Sequence, residues 1–243
     1  MITNRPFELR RTVELPVTPD EIWQAVATGS GHQAWLFPSG GDTPSAVGDT
    51  IMGHRVEAFD PPHHFRAHLE GENGYFNTLE YLIEGRDGGT TVLRYMHSGV
   101  FVEDWENQYD AADQHTDFYL HTLGQYLEHF AGREAIYIGV EGPAASSARE
   151  AFDALQRQLG IDQAAEGQAV TAEIPGIEPI AGVIDYRRPA FLGIRSSDGL
   201  YRFFGRNAFG QPIGLGHHLF SNVDGEAQQR VWTDWLNGVF AVA

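Results

Sequence analysis

Phe59-Asp60-Pro61-Pro62 closes one strand-like run, and Gly88-Gly89-Thr90 opens another that reaches His97-Ser98-Gly99. The two prolines fix φ and withhold backbone donors, so the first run must stop and turn there. Gly85-Arg86-Asp87-Gly88-Gly89 has the composition of a hairpin turn, and the strand that it feeds is expected to stop at the Ser98-Gly99 pair. Around these two marks the pattern predicts strands over residues 50–59, 65–69, 76–84 and 90–97. Their connections are short and rich in Gly, Pro, Asn and Asp, as in an antiparallel meander.

Upstream, residues 7–15 alternate as a strand does. Thr18 is placed to cap a helix, with Pro19 at its first position and Glu21 at its third. Ile22, Trp23, Val26 and Ala27 give that helix one apolar face, and it is expected to end near Gly29-Ser30-Gly31. A short turn then runs to Trp35-Leu36-Phe37-Pro38. Downstream, apolar residues at Tyr109, Ala112, Thr116, Tyr119, Leu120, Leu123, Leu127 and Phe130 predict a long amphipathic helix over 103–131, stopped by Gly132. Such a sheet carries an apolar face that only the long helix is available to cover.

The order of strand, helix pair, strands and long helix over residues 7–131, with the Asp-Pro-Pro and His-Ser-Gly marks, resembles a known family. It is similar to the branch of the START/SRPBCC (birch-pollen-allergen-like) superfamily that contains the activators of heat-shock-protein-90 ATPase. The resemblance implies an α+β helix-grip fold, in which a curved antiparallel sheet wraps a long C-terminal helix around a cavity for an apolar small molecule. Many relatives carry a Gly-Trp pair where this chain has His115 and Thr116, which implies a larger or more polar cavity here. Related folds also host aromatic polyketide cyclases and hydrolases, and the family name comes from a co-chaperone.

The second half repeats the outline. A strand is expected at 135–141, a helix at 148–159, strands at 170–174, 180–186, 191–196, 200–204 and 213–220, and a last helix over 225–240. This predicts two domains, 1–133 and 134–243, the second a diverged helix-grip-like copy; the competing expectation is a mixed α/β small-molecule-sensing module. Trp232, Trp235 and Phe240 on the last helix suit either a core or a homodimer surface.

Composition narrows the chemistry. The 243 residues suffice for one large domain or two small ones, and no apolar run is long enough to span a bilayer. Met1-Ile2-Thr3-Asn4-Arg5-Pro6 lacks an apolar signal core, so a cytoplasmic protein is expected. With no cysteine there are no disulfides or thiolate nucleophiles. All sixteen positive residues are arginine, which excludes Schiff-base chemistry and a P-loop lysine. The net charge of −17 opposes nucleic-acid phosphates and anionic membranes.

Strand alternation places Met52, His54 and Val56 on one face with Phe65, Ala67 and Leu69, with Leu79, Tyr81 and Ile83, and with Leu93, Tyr95 and His97. Thr116, Tyr119, Leu120 and Leu123 would close over them, with Trp35 and Phe37 at the rim. The candidate ligand-binding residues are Trp35, Phe37, Met52, His54, Phe65, Tyr81, Tyr95, His97, Thr116, Tyr119 and Leu123. No metal site is expected: His63-His64 and His217-His218 lack partners at ligating spacing, and His115 and His121 lie on different helical faces. No nucleophile elbow is present, so no catalytic residue or cofactor is assigned, and Asp117 is expected on the outer face. Arg202 and Arg206, among aromatics between Leu200 and Gly210, are expected to pair with carboxylates around a tight hairpin. The leading expectation is non-enzymatic binding of an apolar or aromatic small molecule, in a stress or detoxification setting. A cyclase- or hydrolase-like enzyme in the same pocket comes second and a chaperone-associated protein third. Hydrogen bonding of His54 or His97 to Tyr81 or Tyr95 inside the cavity is the feature that would favour the enzyme.

Overall fold

The computed structural model describes residues 5–40, 42–101 and 104–241. The chain forms two compact units, Met1–Glu134 and Ala135–Ala243. The first contains β1 (Arg5–Leu15), α1 (Pro19–Ala27), α2 (Gly29–Gln33), β2 (Thr50–Ile51), β3 (His54–Asp60), β4 (His64–Glu70), β5 (Phe76–Arg86), β6 (Thr90–Phe101) and α3 (Trp105–His129). Its six strands are antiparallel in the order β1-β6-β5-β4-β3-β2, so the first strand closes beside the last.

α1 starts as its sequence dictates. The Glu21 amide donates to Thr18 Oγ1 at 3.3 Å and the Thr18 amide donates to Glu21 Oε2 at 2.8 Å, a reciprocal cap. Ile22, Trp23, Ala25 and Val26 are buried on the core side. Thr28 ends α1 and caps α2, which packs back so tightly that a Cβ on Gly31 would collide with the Gln24 and Ala25 backbone.

Two strand boundaries differ from expectation. The single strand expected over 50–59 is a hairpin, β2 and β3, because Met52 (φ 52°) and Gly53 (φ 76°) form a two-residue turn with both φ positive. β6 does not stop at Ser98-Gly99 but continues to Phe101. A Cβ on Gly99 would lie 2.7 Å from the Phe7 ring and from the Phe76 carbonyl oxygen, so the glycine admits close neighbours instead of ending the strand. The expected helix start at Glu103 lies outside the described residues.

The register builds one continuous inner face. Phe65 stands opposite Tyr81, Tyr81 opposite Tyr95, and Tyr95 opposite Arg11; the neighbouring row is Ala67, Leu79, His97 and Leu9. A register shift between Val56 and Ala58 bends β3. α3 packs on β1 and β6, with Thr116, Leu120, Leu123 and Leu127 buried. Asp117 sits away from that face and, with Asp113, accepts hydrogen bonds from Arg11 at 2.6 and 2.7 Å.

The second unit contains β7 (Ile136–Glu141), α4 (Ala151–Gln158), β8 (Ala169–Ala172), β9 (Ile180–Arg188), β10 (Phe191–Ser196), β11 (Gly199–Phe204), β12 (Gly214–Leu219) and α5 (Gly225–Val239). Its strand order, β7-β12-β11-β10-β9-β8, repeats that of the first unit position for position. This replaces the competing small-molecule-sensing module. The helix expected from Ala148 begins later, after a 3₁₀ turn in which Ser146 Oγ donates to the Pro143 carbonyl at 2.7 Å and accepts from the Ile213 amide at 3.1 Å. Phe152 and Leu155 of α4, Ile184, Leu192 and Phe203 of the sheet, and Trp232 and Leu236 of α5 form one core. Trp232 is therefore interior, with Trp235 and Phe240 packed against its cluster. Arg202 pairs with Asp185 through two bonds, 2.9 and 2.7 Å, as expected of a carboxylate partner. Arg206 instead lies over the Phe204 ring at 5.1 Å. Among the described residues, no helix is long and apolar enough to cross a membrane.

Candidate ligand cavity

A cavity of about 280 Å³ lies between α3 and the inner face of the first sheet. That approaches the lower end of ligand pockets, about 300 Å³, and is nearly twice the roughly 150 Å³ that takes benzene. Nine of the eleven candidate residues line it: Trp35 and Phe37 after α2, Met52 and His54 at the β2–β3 turn, Tyr81, Tyr95 and His97 on the sheet, and Thr116 and Tyr119 on α3. Phe65 and Leu123 do not. Phe65 shares the inner face but is covered by Trp23 of α1, their rings 5.9 Å apart and nearly perpendicular. Leu123, two helical turns beyond Thr116, is fully buried in the core.

Six lining residues were not among the candidates: Leu36, Asn77, Leu79, Ala112, His115 and Leu120. Leu79 and Leu120 had been placed on the right face. Asn77 precedes Leu79 by two on β5, and Ala112 precedes Thr116 by four on α3, so strand and helix periodicity already pointed to both.

The walls are mainly aromatic and aliphatic. The Trp35 indole N–H donates to the Ala25 carbonyl at 2.9 Å, which commits it to the backbone and leaves its ring as wall. Phe37, 41% exposed, stands at the rim with its ring 6.4 Å from that of Tyr119. Tyr81 and Tyr95 lie 5.2 Å apart across β5 and β6. Burial pushes both phenols up, so they stay neutral hydroxyls.

The polar end is a chain of three side chains. His54 Nδ1–H donates to the Met52 carbonyl at 3.0 Å, and His54 Nε2 faces Asn77 Oδ1 at 3.1 Å. Asn77 Nδ2 donates to His97 Nε2 at 2.9 Å. Burial pushes His97 down to about 4, with the His54 ring adding to the effect. His32, buried beside this end, is also held at about 4 by desolvation. The hydrogen bonds of His54 and His97 thus run to Asn77; neither is bonded to Tyr81 or Tyr95, and the Tyr95 and His97 ring centres are 6.4 Å apart. Among the described residues, no carboxylate and no arginine lines the cavity. With His54 neutral, such a site favours a neutral molecule, because no fixed charge lines it.

No family model matches the chain, and no curated protein does. Solved structures do. The chain is similar to protein MLL2253 from Mesorhizobium loti, with 20% identity and a TM-score of 0.42 over 52% of this chain and 98% of that one. It is similar to the Aha1 dimer from Colwellia psychrerythraea, with 19% identity and a TM-score of 0.39 over 50% of this chain and 96% of that one. A third likeness is to the di-domain ARO/CYC BexL from the BE-7585A biosynthetic pathway, with 13% identity and a TM-score of 0.43 over 96% and 97% of the two chains. At these identities the likenesses assign no activity, and the fold stands on the strand order and covering helix described above, found twice in this chain. Each unit has a helix-grip architecture, a six-stranded antiparallel sheet with a C-terminal covering helix. In the first helix-grip the sheet and α3 enclose a cavity with a mostly apolar wall and one hydrogen-bonding end.

Proposed function

We propose that the first unit binds a neutral apolar or aromatic molecule of one or two rings in this cavity, without a cofactor, metal, nucleic acid or membrane as partner. The observation that carries the reading is the open space between Thr116 and the Tyr81–Tyr95 pair, walled by aromatics and closed at one end by His54, Asn77 and His97. A filled core would leave no such space. The proposal includes a cytoplasmic, stress- or detoxification-related setting. A homodimer is part of the same proposal, and light scattering of the purified chain tests it.

The test is thermal unfolding against a panel of apolar and aromatic metabolites, with native mass spectrometry of the protein as isolated. A ligand at a hundred times its Kd adds about 2.7 kcal/mol, a visible rise in Tm. No shift with any compound and no co-purified mass would overturn the reading.

A second reading has a specific observation behind it. Two imidazoles joined through one amide are groups that handle protons, which favours a cyclase- or hydrolase-like enzyme in the same pocket. Against it, neither imidazole is bonded to Tyr81 or Tyr95, the arrangement expected of an assembled acid–base pair. The chaperone-associated reading draws on the family resemblance alone, and the rate of a chaperone ATPase with and without this chain tests it.

A further inference from the structure

Hydrogen-bond accounting at the polar end leaves two proton patterns. The Met52 carbonyl is an acceptor only, so His54 Nδ1 always carries hydrogen. With Asn77 Oδ1 toward His54 and Nδ2 toward His97, His54 Nε2 also carries hydrogen and the ring is an imidazolium. His97 then accepts at Nε2 and holds its hydrogen on Nδ1. The two ends of an amide are nearly isosteric, so turning the Asn77 amide over keeps every heavy-atom position. Its Nδ2 then donates to a neutral His54 at Nε2, and Oδ1 accepts from His97 Nε2–H. His97 Nδ1 is now a bare lone pair. The patterns differ by one proton, bound or released at His54 Nε2, while His97 stays neutral in both and only exchanges tautomer through solvent.

We propose that Asn77 ties the protonation of His54 to what His97 presents to the cavity: an acceptor when His54 is neutral and a donor when it is charged. The proposal rests on the cavity reading and names its ligand class, a one- or two-ring molecule bearing a hydroxyl that donates to His97 Nδ1. His97 lines the cavity, and its Nε2 is occupied by Asn77, which leaves Nδ1 as the ring's remaining polar atom. The low proton affinity of the buried His97 ring agrees with the charge residing on His54. The groups around His54 are His32 from α2, Asn77 and Tyr81 from β5, Tyr95 and His97 from β6, and His115 and Tyr119 from α3. Among the described residues, no carboxylate and no arginine lines the cavity at this end.

The first test needs no ligand. Imidazole ¹⁵N shifts of the whole chain are followed from about pH 8 to about pH 5, the range in which histidines ordinarily titrate. The expected result is that His97 changes from the Nε2–H to the Nδ1–H tautomer with the same midpoint at which His54 gains its proton. In Asn77→Ala, His97 keeps one tautomer across that midpoint. A wild-type His97 that holds one tautomer while His54 titrates overturns the proposal. The second test compares 2-naphthol with 2-methoxynaphthalene. The methyl ether, which can only accept, is expected to bind about tenfold more tightly once His54 is charged, a factor worth about 1.4 kcal/mol, while the naphthol, which can donate or accept, changes less. Equal pH dependence of the two overturns the ligand class. Failure of both to bind counts against the cavity reading itself, and the ¹⁵N result still decides the relay.

Discussion

Thr116 decides whether the first helix-grip is open. It faces Tyr81 and Tyr95 from α3, where the family resemblance would place an indole. Thr116→Trp should therefore fill the cavity. The chain is expected to fold with a stability change within about 2 kcal/mol, the range of overpacking strain, and to lose the ligand-induced rise in Tm entirely. A retained rise would show that ligands bind elsewhere. Histidine burial gives a second prediction. His32 and His97 take up a proton near 6.5 when unfolded but only near 4 when folded. Between those values the unfolded chain binds more protons, so stability is full above about 6.5 and falls as the pH drops toward 4, by up to about 3 kcal/mol for each group. His217, pushed down by burial, acts in the same direction. His32→Phe should leave urea midpoints near neutrality almost unchanged and flatten the loss in acid. An equally steep acid limb would mean that other groups drive it. Tyr81, Tyr95, His54 and His97 were legible because period-two alternation puts them on one face. The same alternation puts Asn77 on that face, but its role was not legible, because it appears only when β3 and β6 bring two imidazoles to it.

Elements were legible where local chemistry and tertiary contact agree. The α1 start is such a case: the reciprocal Thr18–Glu21 cap with Pro19 behind it could be read from five residues. Thr18→Ala removes the side-chain acceptor and should cost about 1 kcal/mol, measured as a lower urea midpoint with unchanged slope. A change of a few tenths would mean that tertiary packing of Ile22, Trp23 and Val26 alone sets where the helix begins. The boundaries that sequence misplaced are those set by a distant partner. Met52 takes a positive φ without being Asn, Asp or Gly, so Gly53 was the only composition signal of the β2–β3 turn. Gly99 reads as a strand end until the Phe7 ring is laid against it from β1, which no local pattern contains.

The recurrence of strand order belongs to the whole chain, and sequence conveyed it only as an order of elements. The two halves share almost no residues at matching places, yet each builds six antiparallel strands in the same order under a last helix. What separates them is the residue that the covering helix lowers onto the sheet. In the first unit Thr116 leaves about 280 Å³ open. In the second, Trp232 is fully buried, its ring 4.2 Å from His217, 6.1 Å from Tyr201 and 6.2 Å from Phe203. The His217 Nδ1 accepts from the Arg202 amide at 3.1 Å, which leaves its protonated Nε2 and the Trp232 Nε1–H as two buried donors without acceptors. The indole therefore fills the space between helix and sheet that stands open in the first unit, at the cost of two unmade hydrogen bonds. One ligand per chain is the expected stoichiometry by native mass spectrometry. Trp232→Ala should cost about 3–5 kcal/mol, as large aromatic truncations do, and Trp232→Leu less. In whichever variant remains folded, indole should bind as a second ligand and restore part of the lost stability. Two ligands on the wild-type chain would show that Trp232 does not close the second helix-grip. A folded variant that refuses indole would show that its sheet and helix collapse onto the vacancy.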